Sequence, residues 1–189
     1  MAARAVLDSN GLQNVAIERV RGNLTDHYDP KHNVIRLSDS VYDSGSTAAI
    51  GVACHEAGHA LQYAEGYLPI KIRQAIIPIT NIGSQLGLWL FLIGLLFSYF
   101  SESLVIVAYI GLALFSFTAL FQLVTLPTEY NASNRAMEAI ETCGILNETE
   151  QQSARKVLNA AALTYVAALA VSLTQILRLF LILGRNHRD

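Results

Sequence analysis

The sequence predicts a mainly α-helical protein with a small β-sheet and about three transmembrane helices. Hydrophobic residues make up 52% of its 189 residues and charged residues only 15%, a balance that favours an integral membrane protein. Three apolar runs are each longer than 20 residues, which lets a helix cross a hydrocarbon core of about 30 Å. Two short segments near the N-terminus are strand candidates and account for the sheet.

The chain begins with short elements separated by turn residues. A brief helix around Ala5 is expected to stop at the turn of residues 9–11, and residues 15–20 alternate as a half-exposed strand does. Pro30 ends the polar stretch that follows, and residues 33–38 form the second predicted strand.

The next helix is predicted from about residue 47 to residue 64 and contains the sequence HEAGH at residues 55–59. Histidines four apart on a helix lie on one face, so His55 and His59 can reach one tetrahedral zinc ion. Glu56 projects beside the pair rather than onto the ion. This pattern is typical of zinc hydrolases, in which the metal acidifies a water and the glutamate takes its proton.

An ordinary helix with solvated or capped histidines is the alternative interpretation of this segment. The seven residues before His55, AAIGVAC, are apolar, so the helix is buried, and buried His and Glu side chains need partners. Gly58 weakens the helix and suits close approach by another backbone or a substrate.

Ser46 is the expected N-cap of this helix. Cys54 is expected to be a small buried thiol rather than a disulfide partner or ligand.

Two membrane crossings are predicted at residues 75–100 and 104–126, and only residues 101–103 separate them, so they form a hairpin. Residues 160–183 form a third crossing, in which Arg178 lies near the end and can snorkel to the interface. A soluble all-helical core is the alternative, and three apolar runs of this length argue against it.

Polar residues return after Pro127, where a separate helix is predicted that ends at Cys143-Gly144. Residues 147–150, with the sequence NETE, resemble a capping box that opens the last helix.

A catalytic zinc needs a third protein ligand, and Glu129 is the best candidate. Glu129 follows the apolar hairpin, where the chain has returned to the side of the membrane that it left after His59. Ala132 and Ala136 are small enough to let this helix pack closely against the metal helix. The other carboxylates considered are Glu138, Glu141, Asp26 and Asp29.

The polar loop before the second strand also carries His27 and His32, which a solvated loop explains without a metal. We expect residues 33–38 to be an edge strand along the catalytic cleft, because an extended peptide substrate can pair with such an edge.

Several stretches together resemble the YugP-like neutral zinc metallopeptidases of bacterial membranes. They are HEAGHALQ at residues 55–62, LTDHYDP at 24–30, FQLVTLPTEYNAS at 121–133 and KVLNAAALTYV at 156–166. The resemblance covers nearly the whole chain and implies a zincin-like catalytic domain in which His55, His59 and Glu129 hold Zn²⁺. Members usually carry a further hydrophobic helix at the N-terminus, so the resemblance implies either a short member or a chain without that helix.

The segment around Glu129 is also similar to the third-ligand segment of the related HtpX and CAAX-prenyl membrane proteases. Those proteins have Asp where Ser133 stands here. The resemblance therefore carries over Glu129 as a ligand and supplies no carboxylate at position 133.

The predicted parts are the N-terminal part of the zincin domain with the metal helix (1–74), a transmembrane hairpin (75–126), the third-ligand helix and connection (127–159), and a transmembrane helix with a tail (160–189).

The expected function is that of a membrane-embedded zinc endopeptidase that acts on peptide or protein substrates, including membrane proteins. Glu56 would be the general base, and the zinc and one further donor would stabilise the oxyanion. The candidates for that donor are His27, Tyr130, Asn131 and Arg135. A catalytically silent scaffold or chaperone with the same fold and a metal-handling membrane protein are the alternatives.

The net charge of −2 gives no indication of nucleic-acid binding.

Most Lys and Arg residues beside the membrane lie on the catalytic side, which favours the cytoplasm as the location of the site. Arg185 and Arg188 in the tail argue for the opposite orientation.

Overall fold

The computed structural model describes residues 1–186, which form two compact units. The first unit comprises Met1–Lys71 and Pro127–Leu163, and the second comprises Ile72–Leu126 with the described part of Thr164–Asp189. The helices are α1 (Ala2–Ser9), α2 (Asp39–Tyr42), α3 (Thr47–Glu65), α4 (Leu68–Phe97), α5 (Val105–Thr142) and α6 (Glu148–Asn186), with one short 3-10 helix at Glu102–Leu104. The strands are β1 (Ala16–Val20), β2 (His27–Asp29) and β3 (Val34–Ser38). Arg188 lies outside the described residues.

The predicted fold class is confirmed: the protein is mainly helical and has one small sheet. In the first unit, that sheet and α1 pack against α3. The core between them contains Val6, Leu7, Ile35, Leu37 and Ala57, all fully buried. Burial of these apolar side chains is the main force that holds the histidine-bearing helix in place.

β3 is the central strand of the sheet, whose order is β1-β3-β2. It pairs in parallel with β1 and antiparallel with β2. The expectation that residues 33–38 form an edge strand is therefore wrong. Four of the five β3 residues are buried, as expected of a strand covered on both sides. The edge next to α3 belongs instead to β2, a three-residue strand within the stretch that the sequence indicated only as polar.

Helix α3 begins and ends where the sequence predicted. The Ser46 hydroxyl accepts a hydrogen bond from the Ala49 backbone N–H at 3.2 Å, which satisfies one of the open donors of the first turn. Gly66 ends the helix with φ of 69°, a left-handed conformation that glycine adopts without steric cost.

Helix α5 runs without a break through Pro127. The prediction of a separate helix beginning after Pro127 is therefore wrong. Proline removes one backbone donor and leaves the Leu123 carbonyl without its normal helical partner, but long apolar helices tolerate this when the rest of the helix is well packed. The predicted end is confirmed, because α5 ends at Thr142 and Gly144 has φ of 60°.

Helix α6 opens with the predicted capping box. The Glu150 backbone N–H donates to Asn147 Oδ1 at 3.0 Å, and the Asn147 backbone N–H donates to Glu150 Oε2 at 3.0 Å. Two donors that the helix itself leaves open are thus satisfied reciprocally.

The second unit contains the α4–α5 hairpin, whose two helices approach closely at glycines. A Cβ at Gly87 would stand 2.8 Å from the Gly111 carbonyl oxygen, and a Cβ at Gly111 would stand 2.6 Å from the Gly87 carbonyl oxygen. Among the described residues, α4, α5 with its preceding 3-10 turn, and α6 are long and apolar enough to cross a membrane. Large apolar side chains on them are exposed, including Trp89 and Phe180.

Candidate metal centre

The centre lies where α3 and α5 cross at close range. Gly58 of α3 faces the backbone of Ala132 of α5, and a Cβ at position 58 would stand 2.5 Å from the Ala132 carbonyl oxygen. Ala132 and Ala136 are both fully buried. The close approach expected from the small residues of both helices is therefore present, and it brings the histidines of one helix to the carboxylate of the other.

The structure brings His55, His59 and Glu129 together. One potential ligand atom from each lies within 4.8 Å of the others. Glu129 Oε2 is 3.2 Å from His55 Nε2 and 3.6 Å from His59 Nε2. The two imidazole rings meet edge to face, with centroids 4.7 Å apart and planes at 82°. The three side chains that the sequence selected as a ligand set thus converge on one point.

The chemistry of this group suits a metal cation. The Glu129 carboxylate is buried, and burying a charge is costly unless an opposite charge compensates it. Burial lowers the pKa of His59, but its interaction with Glu129 and the negative charges of Glu56 and Glu129 outweigh this effect and raise that pKa. The group therefore favours a positive charge between its members. Zn²⁺ would provide that charge and takes imidazole nitrogen and carboxylate oxygen as ligands.

Glu56 lies beside this group and is not one of its members. Its side chain is on α3, one residue after His55, and it is buried. Its negative charge acts on His59 and helps to raise the pKa of that imidazole. Glu56 is thus near enough to His59 for their charges to interact, and it does not share the position of Glu129 between the two histidines.

The Nδ1 atoms of both histidines have side-chain partners. His55 Nδ1 lies 3.1 Å from Ser133 Oγ, and His59 Nδ1 lies 3.0 Å from Gln62 Oε1. Such contacts orient a metal-binding imidazole and leave Nε2 for the ion. Sequence reasoning missed the role of Gln62, although a polar side chain three residues after His59 on a buried helix lies on the same face and could have indicated it.

Comparison with known protein families matches residues 1–184 to the model described as "Putative neutral zinc metallopeptidase". The chain belongs to this zinc metallopeptidase family. It is 49% identical over 187 residues to a Bacillus subtilis (strain 168) protein named "Putative membrane protease YugP", an alignment that covers 99% of this chain and 80% of the relative. The resemblance stated from the motifs is therefore confirmed. No solved structure matches the chain.

In this member of the zinc metallopeptidase family, Asp26 and Asp29 have partners outside the group formed by His55, His59 and Glu129. Asp29 binds Arg36 and His32, each at 2.6 Å. Asp26 accepts hydrogen bonds from the backbone N–H and the hydroxyl of Ser38. The contacts with Arg36 and Ser38 join this stretch to β3, so Asp26 and Asp29 have a structural role.

Two of the proposed oxyanion donors, Asn131 and Arg135, have partners within the first unit. Arg135 donates two hydrogen bonds of 2.7 Å to the Glu65 carboxylate, and its Nε donates to Asn131 Oδ1 at 2.8 Å. The bidentate pair with Arg135 lowers the pKa of Glu65. The Arg135 guanidinium is therefore bound to α3 as a link between the two helices.

Proposed function

We propose that this chain is a membrane-embedded zinc endopeptidase of the HExxH type with glutamate as third ligand. The observation that carries the proposal is the convergence of His55, His59 and Glu129 within 4.8 Å. Glu56 follows His55 on α3, and its charge acts on His59. These three residues would hold Zn²⁺. A group of two imidazoles and one carboxylate is a ligand set of catalytic zinc sites, which keep a further position open for water or substrate.

Zinc, when bound, would make a nearby water more acidic and polarise the carbonyl group of a peptide bond. Glu56 would accept the proton of the attacking water and later deliver it to the leaving amine. Its burial suits this role, because a carboxylate with little access to bulk water keeps the proton for the substrate. The donor that completes oxyanion stabilisation is proposed among His27, Tyr130, Asn131 and Arg135.

We propose β2 rather than β3 as the strand that binds an extended peptide. β2 is an edge of the sheet formed by the described residues, and it packs against α3. Tyr28 of β2 contacts Tyr63 of α3, with ring centroids 5.4 Å apart. A substrate segment added at this edge would therefore lie beside the histidine-bearing helix.

We further propose that α4, α5 and α6 cross the membrane and that the metal centre is on the cytoplasmic side. The length and composition of these helices support the crossings. The sidedness is supported by the basic residues that flank the crossings, since cytoplasmic flanks are richer in Lys and Arg. These residues are Lys71, Arg73, Arg135, Arg155 and Lys156.

The test is cleavage of casein and of quenched peptides by the detergent-purified protein, with and without a metal chelator. We expect cleavage that the chelator abolishes and zinc restores. The Glu56→Gln variant should keep its zinc, measured by elemental analysis, and lose about 10²–10⁴-fold in rate. Wild-type protein that binds zinc and cleaves nothing would instead favour the silent scaffold. Full cleavage by Glu56→Gln would contradict the role of Glu56.

A further inference from the structure

Gln62 is a fully buried polar side chain that touches both helices of the metal centre. Its Oε1 lies 3.0 Å from His59 Nδ1, three residues earlier on α3. Its Nε2 lies 2.8 Å from the Thr128 carbonyl oxygen and 2.9 Å from Asn131 Oδ1, both on α5. Gln62 thus joins one of the proposed ligands to the helix turn that contains Glu129.

The surroundings determine which way the Gln62 amide faces. The Thr128 carbonyl oxygen can only accept, so the Gln62 atom next to it must be the NH₂ group. Asn131 gives the same answer independently: Arg135 Nε, which can only donate, points at Asn131 Oδ1 and identifies that atom as an acceptor. Two neighbours therefore exclude the flipped amide.

This orientation in turn determines the tautomer of His59. Gln62 Oε1 is an acceptor, so His59 Nδ1 must carry the hydrogen and donate it. The lone pair of a neutral imidazole is then on Nε2, the atom that faces Glu129 at 3.6 Å. Nε2 is therefore the atom that is free to bind a metal.

We propose that Gln62 is the positioning residue of the metal centre, holding His59 Nδ1 as a hydrogen donor while tying His59 to the Thr128–Glu129 turn of α5. The inference rests on the metal site of the proposed function. His55 provides a contrast, because its partner Ser133 has a hydroxyl that can donate or accept. The Ser133 contact alone does not select a tautomer, whereas the Gln62 contact does.

The test compares zinc affinity, measured by competition with a chromophoric chelator, in detergent-purified wild type, Gln62→Met and Gln62→Glu. Methionine has a similar length and no hydrogen bond to offer, and we expect it to weaken zinc binding about 10–100-fold. Glutamate keeps an acceptor for His59 Nδ1 but sets an oxygen, in place of the NH₂ group, against the Thr128 carbonyl and Asn131 Oδ1, so we expect it to recover only part of that loss. The visible spectrum of the Co²⁺-substituted protein should change in Gln62→Met and stay closer to wild type in Gln62→Glu. A general loss of stability would not produce this difference between the two variants.

Gln151→Met is the matched control. Gln151 Nε2 also donates to a backbone carbonyl, that of Leu146, at 2.9 Å, but it lies on α6 and contacts none of the proposed ligands. This variant should bind zinc as wild type does. A measurement that needs no variant is the ¹⁵N spectrum of histidine-labelled, zinc-loaded wild type, in which we expect a slowly exchanging hydrogen on His59 Nδ1.

Wild-type zinc affinity in Gln62→Met, or a hydrogen on His59 Nε2, would overturn the inference. Equal losses of affinity in Gln62→Met and Gln62→Glu would also overturn it, since they would reduce Gln62 to a link between helices. Zinc binding without peptide cleavage would remove the proposed function and leave this inference standing. A wild type that binds no zinc would overturn both.

Discussion

Gly58 of α3 packs directly on the backbone of Ala132 of α5, with no room for a side chain at position 58. Gly51, two turns earlier on α3, has a different environment. A Cβ there would meet the Ala154 side chain at 3.6 Å, an ordinary van der Waals distance. The two glycines of one helix therefore provide a matched pair.

Gly58→Ala should force α3 and α5 apart, because the atom that a Cβ would meet is a backbone oxygen that cannot rotate away. We expect a loss of about 1–3 kcal/mol in the free energy of unfolding, offset in part by about 1 kcal/mol of helix propensity, together with weaker zinc binding. Gly51→Ala should be neutral or stabilising. Chelator competition and thermal unfolding measure both effects, and equal behaviour of the two variants would contradict the close contact.

Glu129→Gln should lower zinc affinity strongly, because it removes the charge of a proposed ligand while keeping the side-chain shape. The loss should exceed about 10–100-fold, which is the range typical of residues that only hydrogen-bond to a ligand. Glu138→Gln is the control, since Glu138 is an exposed residue of the same helix outside the group of three. Elemental analysis after dialysis measures the bound zinc. Unchanged stoichiometry and affinity in Glu129→Gln would assign the third ligand to another residue.

Cys54 should resist alkylation in the native protein. It is fully buried, and burial, together with the nearby Cys143, raises its pKa to about 12, so the reactive thiolate is scarce at pH 8. Cys143 is partly exposed and should react first. Mass spectrometry after treatment with iodoacetamide should find one modified cysteine in native protein and two after denaturation. Rapid labelling of native Cys54 would show that the core around α3 opens.

Asn147→Ala should lower the free energy of unfolding by about 1 kcal/mol, because Asn147 is one half of the capping box of α6. Zinc affinity should not change, since the cap and the metal centre share no contact. Thr149→Ala, a neighbouring exposed position in the first turn, serves as control and should have little effect on stability. A comparable loss in both variants would argue against a specific contribution of the cap.

The sequence alone was sufficient to select three side chains that the structure brings together, and to predict the helix that presents two of them. Four-residue spacing places His55 and His59 on one helix face, and local signals at Ser46, Gly66 and Gly144 determine where helices begin and end. The long apolar runs determine which helices are suited to a membrane. These features depend on neighbours within one or two turns, so the order of residues specifies them directly.

Only the tertiary structure decided which side chains meet across elements. The position of β3 between two strands depends on pairing with a three-residue β2 that has no clear signal of its own. The partners of the histidines, Ser133 and Gln62, depend on how α3 and α5 cross, because residues far apart in the chain become neighbours only when their helices pack. The continuity of α5 through Pro127 also became clear only from the structure. The proline removes one local hydrogen bond, and the interactions of the whole long helix outweigh that loss.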